Sequence, residues 1–173
     1  IDTAGLKRRG RINRGIEKFS SLRVFSSIER SDIAVLLIDG EASVTNQDTH
    51  ITEHVLAERK GLILAINKID LLEKGEEMRD RIISKLRRKF SFVPWAPVVF
   101  VSAKNKTNTY KILELAEKIM EARKQKIRTP ELNSLLQKVT MKHLPAGKGL
   151  KKAKFMYGTQ VDINPPKFTL FFR

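Results

Sequence analysis

The sequence predicts an α/β fold: a parallel sheet sandwiched by helices, followed by a smaller α/β unit. Short unbroken apolar runs at Ile33 to Ile38, Leu62 to Ile66 and Val98 to Val101 have the length and composition of strands covered on both faces. Stretches with apolar residues at helical spacing lie between them, and strands alternating with helices build a parallel sheet with helices on its faces. Beyond Lys124 the alternation stops, which places a domain boundary near Gln125 and divides the chain into residues 1–124 and 125–173.

Ile1-Asp2 reads as the last step of a strand whose beginning is missing, so the chain is expected to be a fragment. Ile16, Phe19, Leu22, Phe25 and Ile28 space as a helix leading into Arg30-Ser31-Asp32, and the first full strand then ends at Asp39-Gly40. Gln47 to Lys60 forms the helix before the second strand. Glu76 to Phe90 forms the helix before the third, with Met78, Ile82, Ile83, Leu86 and Phe90 on one face. Ile112, Leu113, Ala116, Ile119 and Met120 mark another helix. In the second unit, Thr129-Pro130 reads as an N-cap with proline at the first helical position, opening a short helix with Leu132, Leu135, Leu136 and Val139 inward. After His143 to Lys152 come two strand-like runs, Lys154 to Asp162 and Lys167 to Phe172, separated by Asn164-Pro165-Pro166. With fewer than fifty residues this unit is too small to bury a stable core alone. It too is expected to be partial.

At 173 residues the chain holds one domain or one and a fraction. Its net charge of +15 and pI near 10.2 favour a polyanionic partner, of which nucleic acid is the commonest for a basic protein. No apolar stretch is long enough to span a bilayer and none resembles a signal peptide, which makes a soluble intracellular protein the default. The absence of cysteine excludes a disulfide scaffold, a Cys-based zinc site and a thiol nucleophile.

Asn67-Lys68-Ile69-Asp70, directly after the second strand, carries the chemistry needed to read guanine. A carboxylate such as Asp70 can accept two parallel hydrogen bonds from the ring N–H and exocyclic amine of guanine, a pair that adenine does not offer. Asn67 would brace the neighbouring loops and the purine edge, and Lys68 would lay its methylene stem along the base. Ser102-Ala103-Lys104 follows the third strand. There the Ala103 backbone N–H would meet the guanine carbonyl oxygen and the Lys104 stem would cover the other face, although such a triplet is also an ordinary passage from strand to loop. In Asp2-Thr3-Ala4-Gly5, Asp2 would hold Mg²⁺ through a water while the Gly5 N–H senses the terminal phosphate. The bland alternative is a strand-to-turn transition.

In most small signalling GTPases, which this motif resembles, a glutamine that orients the attacking water follows the glycine; Leu6 stands there in this chain, and leucine can neither donate nor accept a hydrogen bond. No phosphate loop is present: Gly10 to Gly15 has the glycine spacing, but Ile16 and Glu17 follow where lysine and a hydroxyl are required. The chain by itself is therefore expected not to hydrolyse GTP. Lys7, Arg8, Arg9, Arg11 and Arg14 form a basic run that reads equally as a solvated loop or as a contact to RNA or an adjoining domain. Lys148, Lys151, Lys152 and Lys154, close to Phe155 and Tyr157, suggest a phosphate-binding strand and loop, with solubility and core packing as the alternative. His50 and His54, four apart on a helix, have the spacing of metal ligands but lack an evident third one, so surface or packing roles are favoured.

The order of these motifs, each beyond the carboxyl end of an apolar strand, resembles that of the GTP-binding fold, a P-loop NTPase architecture. More narrowly, Asp2 to Arg9, Ile16 to Ser20, Arg23, Ile28 to Asp32, Asn67 to Asp70, Leu132-Asn133, Gly158 to Val161 and Pro165 to Phe168 resemble the double-Era-like ribosome-assembly GTPases, the Der or EngA family. The resemblance covers nearly the whole chain, as the later part of a second GTPase domain and the first part of a KH-like domain. It implies a cytoplasmic, monomeric GTPase using GTP or GDP, Mg²⁺ and also potassium, whose partners are the large ribosomal subunit and its rRNA. The family's hydrophobic residue at the glutamine position matches Leu6. Gly147-Lys148-Gly149-Leu150 does not fit the Gly-x-x-Gly loop of KH domains, so their usual grip on RNA is not implied. Two other readings stay open, a non-enzymatic basic RNA-binding or scaffolding module and a tRNA-modifying Era-like GTPase.

Overall fold

The computed structural model describes residues 23–42, 44–72, 75–142 and 154–173. The chain divides into two compact units, Ile1–Ile119 and Met120–Arg173.

In the first unit, a helix whose described part is residues 23–30 (α1) precedes β1 (Ile33–Asp39), α2 (Asn46–Ala57), β2 (Gly61–Asn67), α3 (Glu76–Lys89), β3 (Val98–Phe100) and α4 (Tyr110–Lys124), within which the division falls. The strands form a parallel sheet in the order β1-β2-β3. β2 is central and buried from Gly61 to Ile66 because each face meets helices. On one face Leu62, Leu64 and Ile66 pack with Val24 and Ile28 of α1, Val55 of α2, and Leu86 and the adjoining Phe90. On the other, Ile63, Ala65, Val99 and Val101 meet Ile112, Leu115, Ala116 and Ile119 of α4. Gly61 has to be small: a Cβ there would lie 2.8 Å from Ile119 Cγ2 and 2.9 Å from Ile33 Cγ1. α2 starts sharply because Thr45 and Asp48 form a capping box, the Asp48 N–H donating to Thr45 Oγ1 at 3.2 Å and the Thr45 N–H to Asp48 Oδ2 at 2.8 Å. The predicted α/β sandwich is present.

Two expectations about faces and ends need correction. β1 is not covered on both sides by the described residues, since Val35 and Leu37 are 37% and 56% exposed while Leu36 and Ile38 are buried. It is the edge of this sheet among the described residues, and α4 reaches only as far as Ile33 on that face. α2 stops at Ala57, short of Lys60, and Arg59 turns the chain with φ of 56°.

The second unit contains α5 (Thr129–Lys142) and the antiparallel pair β4 (Phe155–Asp162) and β5 (Lys167–Phe172). α5 takes Thr129, the predicted cap, into the helix itself, so the helix starts one residue ahead of the predicted first helical position at Pro130. Leu132 is buried, but Leu135 and Val139 are exposed, contrary to expectation. Residues four apart share a helix face, and the face that meets β4 carries Leu132, Asn133 and Leu136. Asn133 fastens it: its Nδ2 donates to Gly158 O at 3.0 Å and its Oδ1 accepts from the Gly158 N–H at 2.6 Å. Gln160 ties the approach to α5, accepting from the Ile127 N–H at 2.7 Å and donating to Gln125 O at 3.2 Å. No helix among the described residues is long and apolar enough to cross a membrane.

Candidate functional site

Three strand ends lie side by side at one edge of the first unit. The register sets Asp39 opposite Asn67 and Phe100 opposite Ile66, so the segments leaving β1, β2 and β3 emerge together. Open α/β sheets bind ligands beyond the carboxyl ends of their strands.

The burial of β2 ends at Asn67, and the chain turns at Lys68 with φ of 64°. This left-handed conformation is uncommon for a residue with a side chain. Leu71 N–H closes the turn on Lys68 O at 3.0 Å, and Ile69 N–H reaches Val101 O at 3.3 Å, pinning the motif to the exit of β3. Two side-chain hydrogen bonds then join the segments. Asn67 Oδ1 accepts from the Ala103 N–H at 3.0 Å, and the Ser102 hydroxyl donates to Asp70 Oδ1 at 2.5 Å. Ser102 is buried, and its oxygen also accepts from the Asn105 N–H at 3.1 Å. The loop beneath is closed by Ser102 and Thr107 exchanging backbone hydrogen bonds and by Asn108 Nδ2 donating to Phe100 O at 3.1 Å.

Lys68 reaches across to β1, where its Nζ lies 2.6 Å from Asp39 Oδ2. The Glu41 N–H donates to the other carboxylate oxygen of Asp39 at 3.1 Å. These contacts set the charges. The hydrogen bond from Lys68 holds the Asp39 carboxyl below its ordinary value, and the same bond raises the Lys68 ammonium above its own. The Ser102 hydroxyl holds Asp70 below the usual carboxylate value, with the nearby charges of Lys104 and Lys68 adding to the effect.

Asn67, Lys68, Asp70, Leu71 and Lys104 line a cleft of about 320 Å³. Its chemistry fits a purine carrying adjacent N–H donors. An ionised carboxylate offers about four lone-pair sites, and the Ser102 hydroxyl occupies one while fixing the plane of the group. The aliphatic stems of Lys68 and Lys104 supply walls for a flat ring.

The structure thus brings together Asn67, Lys68, Asp70, Ser102, Ala103 and Lys104. The Ala103 N–H, expected to meet a base oxygen, is donated to Asn67 here. Asp2, Gly5, Leu6, Lys7, Arg8, Arg9, Arg11, Arg14, Lys148, Lys151 and Lys152 lie outside the described residues. Lys154 is exposed in the second unit and exchanges backbone hydrogen bonds with Arg173 at 2.8 and 2.9 Å. His50 pairs with Glu53 at 3.1 Å, whereas the His54 ring rests on Phe25 with centroids 4.4 Å apart and its ligand atoms group with Glu29 and Glu58. Sequence reasoning missed Asp39, Asn105 and Asn108. Asp39 had a readable signal, since it ends its apolar run as Asn67 ends the next.

The family model described as Elongation factor Tu GTP binding domain matches residues 15–122, and the one described as KH-domain-like of EngA bacterial GTPase enzymes, C-terminal, matches residues 126–173. The GTPase Der of Thermomicrobium roseum is 44% identical over 173 residues, and that of Herpetosiphon aurantiacus 39% identical, each alignment covering 99% of this chain and 38% of the relative. The chain therefore spans 38% of the length of these relatives. Among solved structures it is similar to an Aquifex aeolicus Era variant bound to GDP·AlF4−, with TM-score 0.57 and 20% identity over 68% of this chain and 38% of that one. It is also similar to Era in complex with MgGDPNP and nucleotides 1506–1542 of 16S ribosomal RNA, with TM-score 0.54 and 20% identity over 87% of this chain and 41% of that one. At such identities the structures show the fold, a P-loop GTPase type of α/β architecture. Sequence and fold together establish that the chain belongs to the Elongation factor Tu GTP-binding-domain family, continued on its C-terminal side by the EngA type of KH-like domain found in the Der GTPases.

Proposed function

We propose that this chain supplies the guanine-reading half of a GTP-binding, GTP-hydrolysing ribosome-assembly protein that acts on the large ribosomal subunit. The domains in this reading are residues 1–124, the later part of a GTPase domain, and 125–173, the start of a KH-like domain. The carrying observation is Asp70 in the cleft beyond β2, its carboxylate oriented by Ser102 and its remaining lone pairs free of any other described side-chain donor. Asn67 ties the two base loops together, Lys68 and Lys104 cover the ring, and Ala103 offers its N–H to the carbonyl oxygen of the base once Asn67 shares it.

GTP or GDP with Mg²⁺ are the cofactors of this reading, and potassium is the further cation. Asp2 would hold Mg²⁺ through water and Gly5 would sense the terminal phosphate. Leu6 leaves the water to be oriented by another group, and hydrolysis requires a phosphate loop that the chain lacks. This chain alone would thus bind weakly and not turn over. The basic stretches at Lys7 to Arg11 and Lys148 to Lys154 are the candidate rRNA contacts in a cytoplasmic, monomeric protein, consistent with the net charge of +15.

Calorimetric titration of the intact protein with GDP and with xanthosine diphosphate tests the base reading. Asp70→Asn should lose GDP and gain the xanthine nucleotide, because an amide can donate to the carbonyl that replaces the exocyclic amine. Binding of neither nucleotide by either form refutes it. rRNA affinity that does not depend on the nucleotide refutes the coupling to ribosome assembly.

A further inference from the structure

We propose that Asp39 is a positioning residue of the base cleft, which by pairing with Lys68 keeps that ammonium away from Asp70 and holds its stem along the wall where the purine lies. The inference rests on the guanine reading above and adds a residue that the base motif does not contain.

The cleft carries a conflict of charge. Lys68, Asp70 and Lys104 all line it, with Lys68 only two positions from Asp70. Either ammonium could close on the Asp70 carboxylate and occupy the lone pairs that the two N–H donors of guanine need. In the structure Lys68 does not do so. Its Nζ lies 2.6 Å from Asp39 Oδ2, while the side-chain hydrogen bond to Asp70 comes from Ser102.

Asp39 is a fixed anchor. It sits in register with Asn67 at the end of the parallel ladder, its carboxylate accepts from the Glu41 N–H at 3.1 Å, and the adjoining Gly40 N–H donates to Asn67 O at 2.9 Å. The left-handed backbone at Lys68 fixes the direction in which its side chain departs. Side-chain exposures of 51% and 33% mean that the ion pair adds little to stability. Its effect lies in where it puts the lysine.

The test is titration of the intact protein, in wild-type form and as Asp39→Asn, Lys68→Met and the double variant, with GDP and with inosine diphosphate, which lacks the exocyclic amine. Methionine keeps an apolar stem without the charge. Asp39→Asn should weaken GDP about tenfold and reduce the preference for GDP over inosine diphosphate. In the Lys68→Met background the same change should have no further effect, because the ammonium it releases is gone. Asp39→Ser, as a second variant, should reproduce Asp39→Asn, and Asp39→Glu should recover part of the loss. Equal losses in both backgrounds would mean that Asp39 acts on the loop at Glu41 instead, and no loss in either would mean that it does not act at all. Each result overturns the proposal. A wild-type protein indifferent to the exocyclic amine overturns the guanine reading itself, and this inference with it.

Discussion

Ser102 and Asp70 stand 32 residues apart in the chain, yet the Ser102 hydroxyl donates directly to the Asp70 carboxylate. Ser102 also accepts from the Asn105 N–H, so one buried hydroxyl fixes both the proposed base reader and the loop that faces it. Ser102→Ala should weaken GDP binding about tenfold. Without its donor the Asp70 carboxyl should titrate nearer its ordinary value of 3.8. GDP affinity should then fail at a higher pH on acidification than in the wild type, as titrations through the acid range would show. An unmoved acid limb would mean that the hydroxyl does not hold the charge.

The pairing of Asp39 with Lys68 sets a plateau in the pH dependence of stability. Asp39 is depressed below 3.8 in the folded state, so its contribution is present above that value and is lost as pH falls through the folded one. Lys68 is raised above 10.5, so its contribution is present below that value and is lost as pH rises through the folded one. Urea midpoints of wild type and Asp39→Asn should therefore differ by a small, constant amount between 3.8 and 10.5. A difference that changes near neutrality would assign it to another group.

Gly40 gives the backbone close access to the base motif. A Cβ there would lie 3.0 Å from Asn67 O and 3.0 Å from Leu72 Cδ1. The first neighbour is main chain and gives way only by moving the end of β2. Gly40→Ala should cost about 1–3 kcal/mol of stability and also weaken GDP, whereas a purely local strain would leave binding intact. Denaturation and titration of the same variant separate the two.

In the second unit Asn133 serves Gly158 as a backbone partner, satisfying both its N–H and its carbonyl. Asn133→Ala would remove two hydrogen bonds at a buried glycine and should destabilise the unit by about 2 kcal/mol. Thermal unfolding followed by amide exchange at β4 and β5 would locate the loss. Unchanged protection there would contradict the assignment.

The sheet was legible because Leu62 to Ile66 is an unbroken apolar run, and burial on both faces leaves no room for polar residues. The same reasoning overreached at β1, where Val35 and Leu37 look identical in sequence but no described helix covers them. Periodicity likewise marked α5 as a helix without showing which stripe meets β4, and so placed Leu135 and Val139 inward. The candidate base residues, which the structure brings together as a group, were readable one by one, since each motif demands particular donors and acceptors. Their connections were not: Asp39 with Lys68 depends on parallel register, which is a property of pairing rather than of either segment. Asn133, Gly158 and Gln160 first entered only as points of family likeness, and the structure supplies their reason in the hydrogen bonds that bind helix, strand and connecting segment.

The loop after β3 has a consequence for how the protein is made. Asp70 is held by a hydroxyl added 32 residues later, and that hydroxyl's own backbone is latched by Thr107. During translation a nascent chain thus completes the proposed base-reading arrangement only after Thr107 has been joined and has left the exit tunnel. In a chain interrupted before Ser102, the Asp70 carboxylate would lack the donor that fixes its plane.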